Sequence, residues 1–458
     1  MAPKASQTFR RVKNPNGACV STVSRTLIEQ DGLTFKDIDG SGVVSAVNDW
    51  RLPAAERAKA YAKTLTIHEK IAQLFVADWR MAKYPGAGPN APKIENPVYD
   101  ETGVLDETEC DAETIFGKQH LIGTTQMLKE NFYRHVILRA NATPTDLADW
   151  INQVNAVCEE CDHFIPMSAT SNSRNENGEL VYGMNDAFGV LATWPGTLGI
   201  AAAVKGTGRI DIIDKFADTI RREWNACGMR KGYMYMADTV TDPRWQRTYG
   251  TFGEDPTLIS EIMRHLIPGI QGKPDGVAKD GVAVTTKHFP GGGARENGFD
   301  PHYAAGQWNV YATEGSLEKY HLPPFQAAVD CATSSIMPYY SKPSAGKSPP
   351  RKTLPAMRLI LPRTDLPTTS ISLIRFCAAR WASRDISTLT QVLPATWPGA
   401  LRCWTSPSAS ALRSTTPAWT SSAACLMWKP PKRRTTAART AIMTPTRCPK
   451  VLPSIKLC

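Results

Sequence analysis

An α/β fold built on a (β/α)8 TIM-type barrel and followed by a largely irregular tail is what three features of this 458-residue sequence predict. Short apolar runs alternate with longer segments of helical periodicity, the pattern of a parallel sheet flanked by helices. The alternation repeats over about 280 residues, which suits a closed barrel better than a small open sheet. It stops near residue 341, beyond which the chain is crowded with Pro, Ser, Thr, Ala and Arg, contains no His and follows neither period.

These breaks divide the chain into an N-terminal extension, 1–64, a barrel domain, 65–341, and an aberrant basic tail, 342–458, expected to be disordered. Thr66-Ile67-His68-Glu69 reads as a capping box, and Ile67, Ile71, Leu74 and Phe75 follow at helical spacing. Thr143-Pro144 opens a second helix, with Leu147, Trp150, Ile151, Val154 and Cys158 along one face. A third runs from about Asp211, with Ile212, Phe216, Ile220 and Trp224 inward and Gly228 as its stop. Strands are expected at 163–169, 233–237, 282–286 and 335–340, each leading into polar or glycine-rich residues. In a barrel of this kind function sits where strands end.

Composition narrows the class. A hydrophobic content of 42% fills at least one large core. Met1 is followed by polar and basic residues, so neither a signal peptide nor a membrane span is expected, and the compartment stays open between cytoplasm, periplasm and secretion. Eleven cysteines lie without regular spacing. The one Cys-x-x-Cys, Cys158 and Cys161, falls on an amphipathic helix with no second pair, which points to packing instead of a metal. The net charge of +10 is uneven: residues 1–341 hold 34 basic against 41 acidic groups, and 342–458 hold 19 against 2. A nucleic-acid reading would therefore rest on the tail alone, with salt-sensitive binding as its signature, and no such partner is expected.

Lys287-His288-Phe289-Pro290-Gly291-Gly292-Gly293 directly follows the 282–286 strand and places a cation and an imidazole at its end. Lys and His can donate hydrogen bonds to vicinal hydroxyls, and the glycines permit close backbone approach to a ligand. A phosphate loop is the competing idea, but the lysine precedes the glycines instead of following them. Asp242-Pro243-Arg244-Trp245-Gln246-Arg247 follows the 233–237 strand and continues into Tyr249-Gly250-Thr251-Phe252-Gly253-Glu254-Asp255-Pro256, with Trp194-Pro195-Gly196-Thr197-Leu198-Gly199 upstream. Together, and in this order, these segments resemble the barrel-domain signatures of glycoside hydrolase family 3, whose members are mostly exo-acting β-glucosidases.

The resemblance covers roughly 65–341 and implies specific roles. The sugar-binding carboxylate falls on Asp186 in Gly183-Met184-Asn185-Asp186-Ala187-Phe188-Gly189, and the family's arginine on Arg247. Lys287 and His288 match its Lys-His pair, and Tyr340 in Met337-Pro338-Tyr339-Tyr340-Ser341 matches a tyrosine close to the nucleophile. Arg174 is a further candidate for the pocket, and Asp300-Pro301-His302 is read as stabilising a loop. No metal or cofactor is implied, because retaining hydrolysis needs two carboxyl groups about 5–5.5 Å apart and water. The implied partner is a β-glucoside or oligosaccharide.

The family takes its nucleophile from an aspartate after Tyr340, and this sequence has none in a fitting context. Beyond Ser341 the only carboxylates are Asp365 and Asp385. A shifted reading frame accounts for the gap. Displaced by one nucleotide, 381–392 permits GFKGYINSDSG and 395–406 permits NMAWGVEMLDV, both similar to the family's nucleophile region; the lost aspartate codon would straddle Leu389 and Thr390. The reading traces back to about Arg351, placing the slip between Ser348 and Arg351. The barrel is accordingly expected to be incomplete, without its last two βα units and the second domain that supplies the acid/base, and the chain inactive and poorly folding. A β-xylosidase of the same family is the alternative reading. A β-N-acetylhexosaminidase is a second, although the branch using a His-Asp dyad has histidine where Gly292 stands. A non-catalytic glycan-binding protein would keep Asp186, Arg247, Lys287 and His288 without the nucleophile.

Overall fold

The computed structural model of the chain describes residues 9–15, 17–79, 110–114, 117–121, 126–138, 142–176, 191–344 and 346–349. Six strands form its central sheet: β1 Val76–Trp79, β2 His135–Leu138, β3 Ser168–Ser171, β4 Lys231–Gly232, β5 Ala283–Phe289 and β6 Ser335–Pro338. All are parallel, and they lie side by side in strict chain order. That order belongs to a barrel, because a doubly wound sheet reverses direction at a switch point. The described residues thus form an α/β fold holding six strands of an incomplete (β/α)8 barrel.

Helices cross between the strands: α1 Ala54–Thr64 and α2 Ile67–Ala72 precede β1, α3 Pro144–Glu159 joins β2 to β3, and α4 Thr197–Thr207 with α5 Asp211–Ala226 joins β3 to β4. α6 Pro256–Gln271 and α7 Leu322–Asp330 complete the next two units. Local chemistry sets their ends. Thr66 and Glu69 form a reciprocal capping box on α2, the Thr143 hydroxyl accepts from the Asp146 amide, and Asp255 accepts from the amides of Thr257 (3.0 Å) and Leu258 (3.3 Å) to start α6. Gly208 and Gly272 close α4 and α6 at φ 68° and 79°.

Two layers of core result. Outside the sheet, the faces of α3 (Leu147, Trp150, Ile151, Val154, Cys158) and α5 (Ile213, Phe216, Ile220, Trp224) pack in one cluster. On the inner side, alternation brings Ile137, Tyr233 and Met337 together. Cys158 and Cys161 are free and buried, and burial pushes both thiols up, Cys158 to about 12. Before α1, two hairpins pair Arg10–Lys13 with Cys19–Thr22 and Leu27–Gln30 with Leu33–Lys36. Glu159, at the end of α3, ties both to the barrel.

Two expectations are corrected. The strand expected at 163–169 begins only at Ser168, and that at 233–237 pairs regularly at Lys231–Gly232 before becoming irregular. On α5 the half-buried Ile212 packs against the core as expected, and Ile213 is fully buried beside it. α2 starts at its capping box as expected, with Ile67 and Ile71 exposed and Ala72 buried. No helix among the described residues is long and apolar enough to cross a membrane. The tail from residue 350 onward lies outside the described residues.

Candidate active site

The segment after β4 runs beside β5 beyond the regular ladder. Tyr233 N donates to Ser171 O (2.8 Å), Lys287 N to Tyr235 O (3.2 Å) and Ala237 N to Lys287 O (2.8 Å). This zipper delivers Asp238 to the end of β5, where it is fully buried. Asp238 Oδ2 accepts from the backbone amide of His288 (3.1 Å) and lies 2.8 Å from His288 Nδ1, while Oδ1 accepts from Gly292 N. The far side of the ring meets Arg247, whose Nη1 is 3.3 Å from His288 Nε2 and whose Nη2 faces Met236 Sδ at 3.8 Å. Lys287 Nζ donates to Asn172 Oδ1 (2.8 Å) just beyond β3. Arg247, Lys287 and His288 are therefore brought together across the ends of neighbouring strands, with Asp238 and Asn172 as supports that the sequence did not single out.

The glycines of this loop serve protein packing. A Cβ at Gly293 would lie 1.9 Å from Thr239 O, and one at Gly292 would lie 3.0 Å from Asp238 Oδ1. Only glycine lets the turn close over the β4 segment.

A second carboxylate–imidazole couple stands nearby. Buried Asp300 accepts from Trp245 Nε1 (3.2 Å) and from the amide of His302 (3.1 Å), and is paired with His302 Nδ1. The His302 ring meets Tyr340 edge-on, centroids 5.3 Å apart. Arg174 is buried, with Nε donating to Ser171 Oγ (2.7 Å) and Nη2 to Leu138 O (3.2 Å); burial pushes it down to about 10. Asp186 lies outside the described residues.

Burial pushes His288 down to about 4, against the pull of Asp238 and with the help of Arg247 and Lys287. Burial works against ionisation of Asp238, but His288 and the Gly292 amide outweigh it and hold the carboxyl below its usual range. Asp300 is held low in the same way, His302 and Arg247 overcoming burial. The site therefore combines two cations with an imidazole whose protonation is tightly controlled. Such a group can donate hydrogen bonds to hydroxyls or anions. No cluster of three His, Cys, Asp or Glu able to hold a metal occurs among the described residues.

The sequence matches the family profile Glycosyl hydrolase family 3 N terminal domain over residues 66–355. It is 30% identical over 341 residues to the periplasmic beta-glucosidase/beta-xylosidase of Dickeya chrysanthemi, covering 74% of this chain and 46% of that protein. It is 36% identical over 221 residues to the probable beta-glucosidase C of Aspergillus flavus, covering 48% and 33%. To the beta-glucosidase C of Emericella nidulans it is 32% identical over 289 residues, covering 63% and 40%. The chain thus spans less than half the length of these relatives. A match that begins at the cap of α2 and runs past β6 takes in the whole described sheet and the residues at its strand ends, and on that ground the chain belongs to glycoside hydrolase family 3.

Proposed function

We propose that this barrel is the glucosyl-binding part of an exo-acting, retaining β-glucosidase. The observation that carries the reading is the grouping of Arg247, Lys287 and His288 within hydrogen-bonding reach of one another's supports at successive strand ends. In this reading Arg247 and Lys287 donate to ring hydroxyls, Asp186 accepts from them, Tyr340 flanks the reacting carbon and Arg174 faces the pocket. A β-xylosidase is the second reading, favoured by a relative that carries both names. The pocket then admits a sugar without the exocyclic hydroxymethyl group.

The chain itself binds without turnover in this account. After Ser341 it has two carboxylates, Asp365 and Asp385, neither in a motif resembling the nucleophile's. A one-nucleotide slip between Ser348 and Arg351 explains this. In support, Ser348 still engages the barrel, its amide donating to Ser344 O and its hydroxyl accepting from Tyr311 N, each at 3.1 Å. The test is calorimetric titration of the full chain with glucose and xylose, beside incubation with an aryl β-glucoside. Binding of glucose without release of the aryl group is expected. Binding of neither sugar would sink the sugar-site reading, and hydrolysis would sink the claim of inactivity.

A further inference from the structure

We propose that Asp238 is a positioning residue that holds His288 as the Nδ1–H tautomer, so that Nε2 offers a lone pair and the site selects a sugar hydroxyl able to donate a hydrogen bond. This rests on the sugar-site reading for its ligand, and on geometry alone for the tautomer. His288 is gripped from both ends by groups of opposite and fixed character. Asp238 Oδ2, 2.8 Å from Nδ1, has only lone pairs to offer, so the hydrogen must sit on Nδ1. Arg247 Nη1, 3.3 Å from Nε2, has only hydrogens to offer, so Nε2 must be bare. Each contact alone selects the same tautomer, and the guanidinium at Nε2 disfavours the doubly protonated ring.

Asp238 is itself immobilised. Both oxygens are used, Oδ2 by the His288 amide as well as the ring and Oδ1 by Gly292 N. The turn that supplies Gly292 is closed by Gly293 against Thr239 O, where a Cβ would sit 1.9 Å away. Carboxylate, ring and guanidinium thus form one line from the buried loop towards the strand ends.

The recognition that follows differs from simple donation by Lys and His. A hydroxyl that displaces Arg247 Nη1 from Nε2 gives its hydrogen to Nε2 and accepts from the guanidinium so released, whereas one at Lys287 Nζ only accepts. Fluorine accepts weakly and cannot donate. At the ring position read by His288, a deoxyfluoro sugar therefore binds as poorly as the deoxy sugar. At a position read by Lys287 the fluoro sugar recovers part of the loss.

The experiment uses the full chain labelled with 15N-histidine, the ring signals of His288 being assigned by their loss in His288→Gln. A protonated Nδ1 and a bare Nε2 at neutral pH are expected, and a hydrogen on Nε2 overturns the proposal. In Asp238→Asn one amide orientation sets its NH2 against Gly292 N and the other against the His288 amide. The fixed tautomer should be lost and glucose binding weakened about tenfold or more. Retention of the same single tautomer in that variant overturns the role given to Asp238. Titration of the wild-type chain with monodeoxy and monofluoro glucoses then reads the hydroxyl: one position at which the two bind alike supports the selection, and none overturns it. If the tautomer is as stated and glucose does not bind, the sugar-site reading fails and the Asp238–His288 couple stands.

Discussion

Glu159→Gln, a change of one oxygen for one amide nitrogen, tests what holds the N-terminal hairpins on the barrel. Glu159 has a side chain 3% exposed; its Oε2 accepts from Thr22 Oγ1 (2.9 Å), Val23 N (2.8 Å) and Ser24 N (3.0 Å), and its Oε1 is paired with Lys36. Glutamine can replace only one of these oxygens. Either the ammonium of Lys36 or the three donors of 22–24 must then face an NH2 group. Breaking a buried pair by removing one partner costs about 3–5 kcal/mol. The low end, about 3 kcal/mol, is expected because Lys36 keeps some exposure and lies 3.9 Å from the centroid of the Phe164 ring. Lys36→Met leaves Glu159 with its three donors and should cost less, about 1 kcal/mol. Urea unfolding followed by tryptophan fluorescence measures both, and hydrogen exchange resolved over 19–36 shows whether the loss is local. Burial opposes ionisation of Glu159, but Lys36 and the amides of Ser24 and Val23 lower it below its ordinary 4.5. Its contribution is thus complete above 4.5 and lost as pH falls through the depressed folded value. The difference between wild type and Glu159→Gln should shrink in acid. A Glu159→Gln cost no larger than that of Lys36→Met would refute the reasoning.

Three further outcomes are expected. Gly293→Ala should lower stability by about 1–3 kcal/mol and abolish glucose binding, because the Thr239 carbonyl and the turn must move apart; an unchanged unfolding midpoint would contradict the close approach. His135, His288 and His321 are each pushed down to about 4 by burial, so the unfolded chain binds protons near pH 6.5 that the folded chain refuses. Stability should therefore fall as pH drops from 6.5 towards 4, a slope that thermal melts at several pH values would show and that His288→Gln should reduce. Cys158 and Cys161, buried with raised thiols, should stay unmodified by iodoacetamide in the native protein, as peptide mapping would read.

What the sequence discloses here follows the range of the interactions involved. The capping box at Thr66 and Glu69 and the Thr143-Pro144 start are local, and both form. The buried face of α3 is also as its spacing predicts, since a 16-residue helix shows several turns of the pattern. Periodicity reports spacing, however, and not what lies opposite, which is why the apolar residues of α2 end up exposed. β1 and β2 are not among the expected strands. At the site, Lys287, His288 and Arg247 stand in recognisable segments. Asp238 and Asn172 acquire their roles only when loops 54 and 115 residues apart in sequence meet. One signal for Asp238 was present: it is the first charged residue after the apolar run 233–237, the position at which a barrel strand delivers a side chain to its mouth.

We propose that a family 3 sugar-binding barrel is joined, near Ser348, to a tail read out of frame. Hydrolysis of a chromogenic β-glucoside should be compared for two proteins: the chain as it stands, and the product of the same gene with the frame restored after Ser348 and its downstream sequence included. Activity in the restored protein alone is the predicted result. Activity in the chain as it stands would contradict the claim.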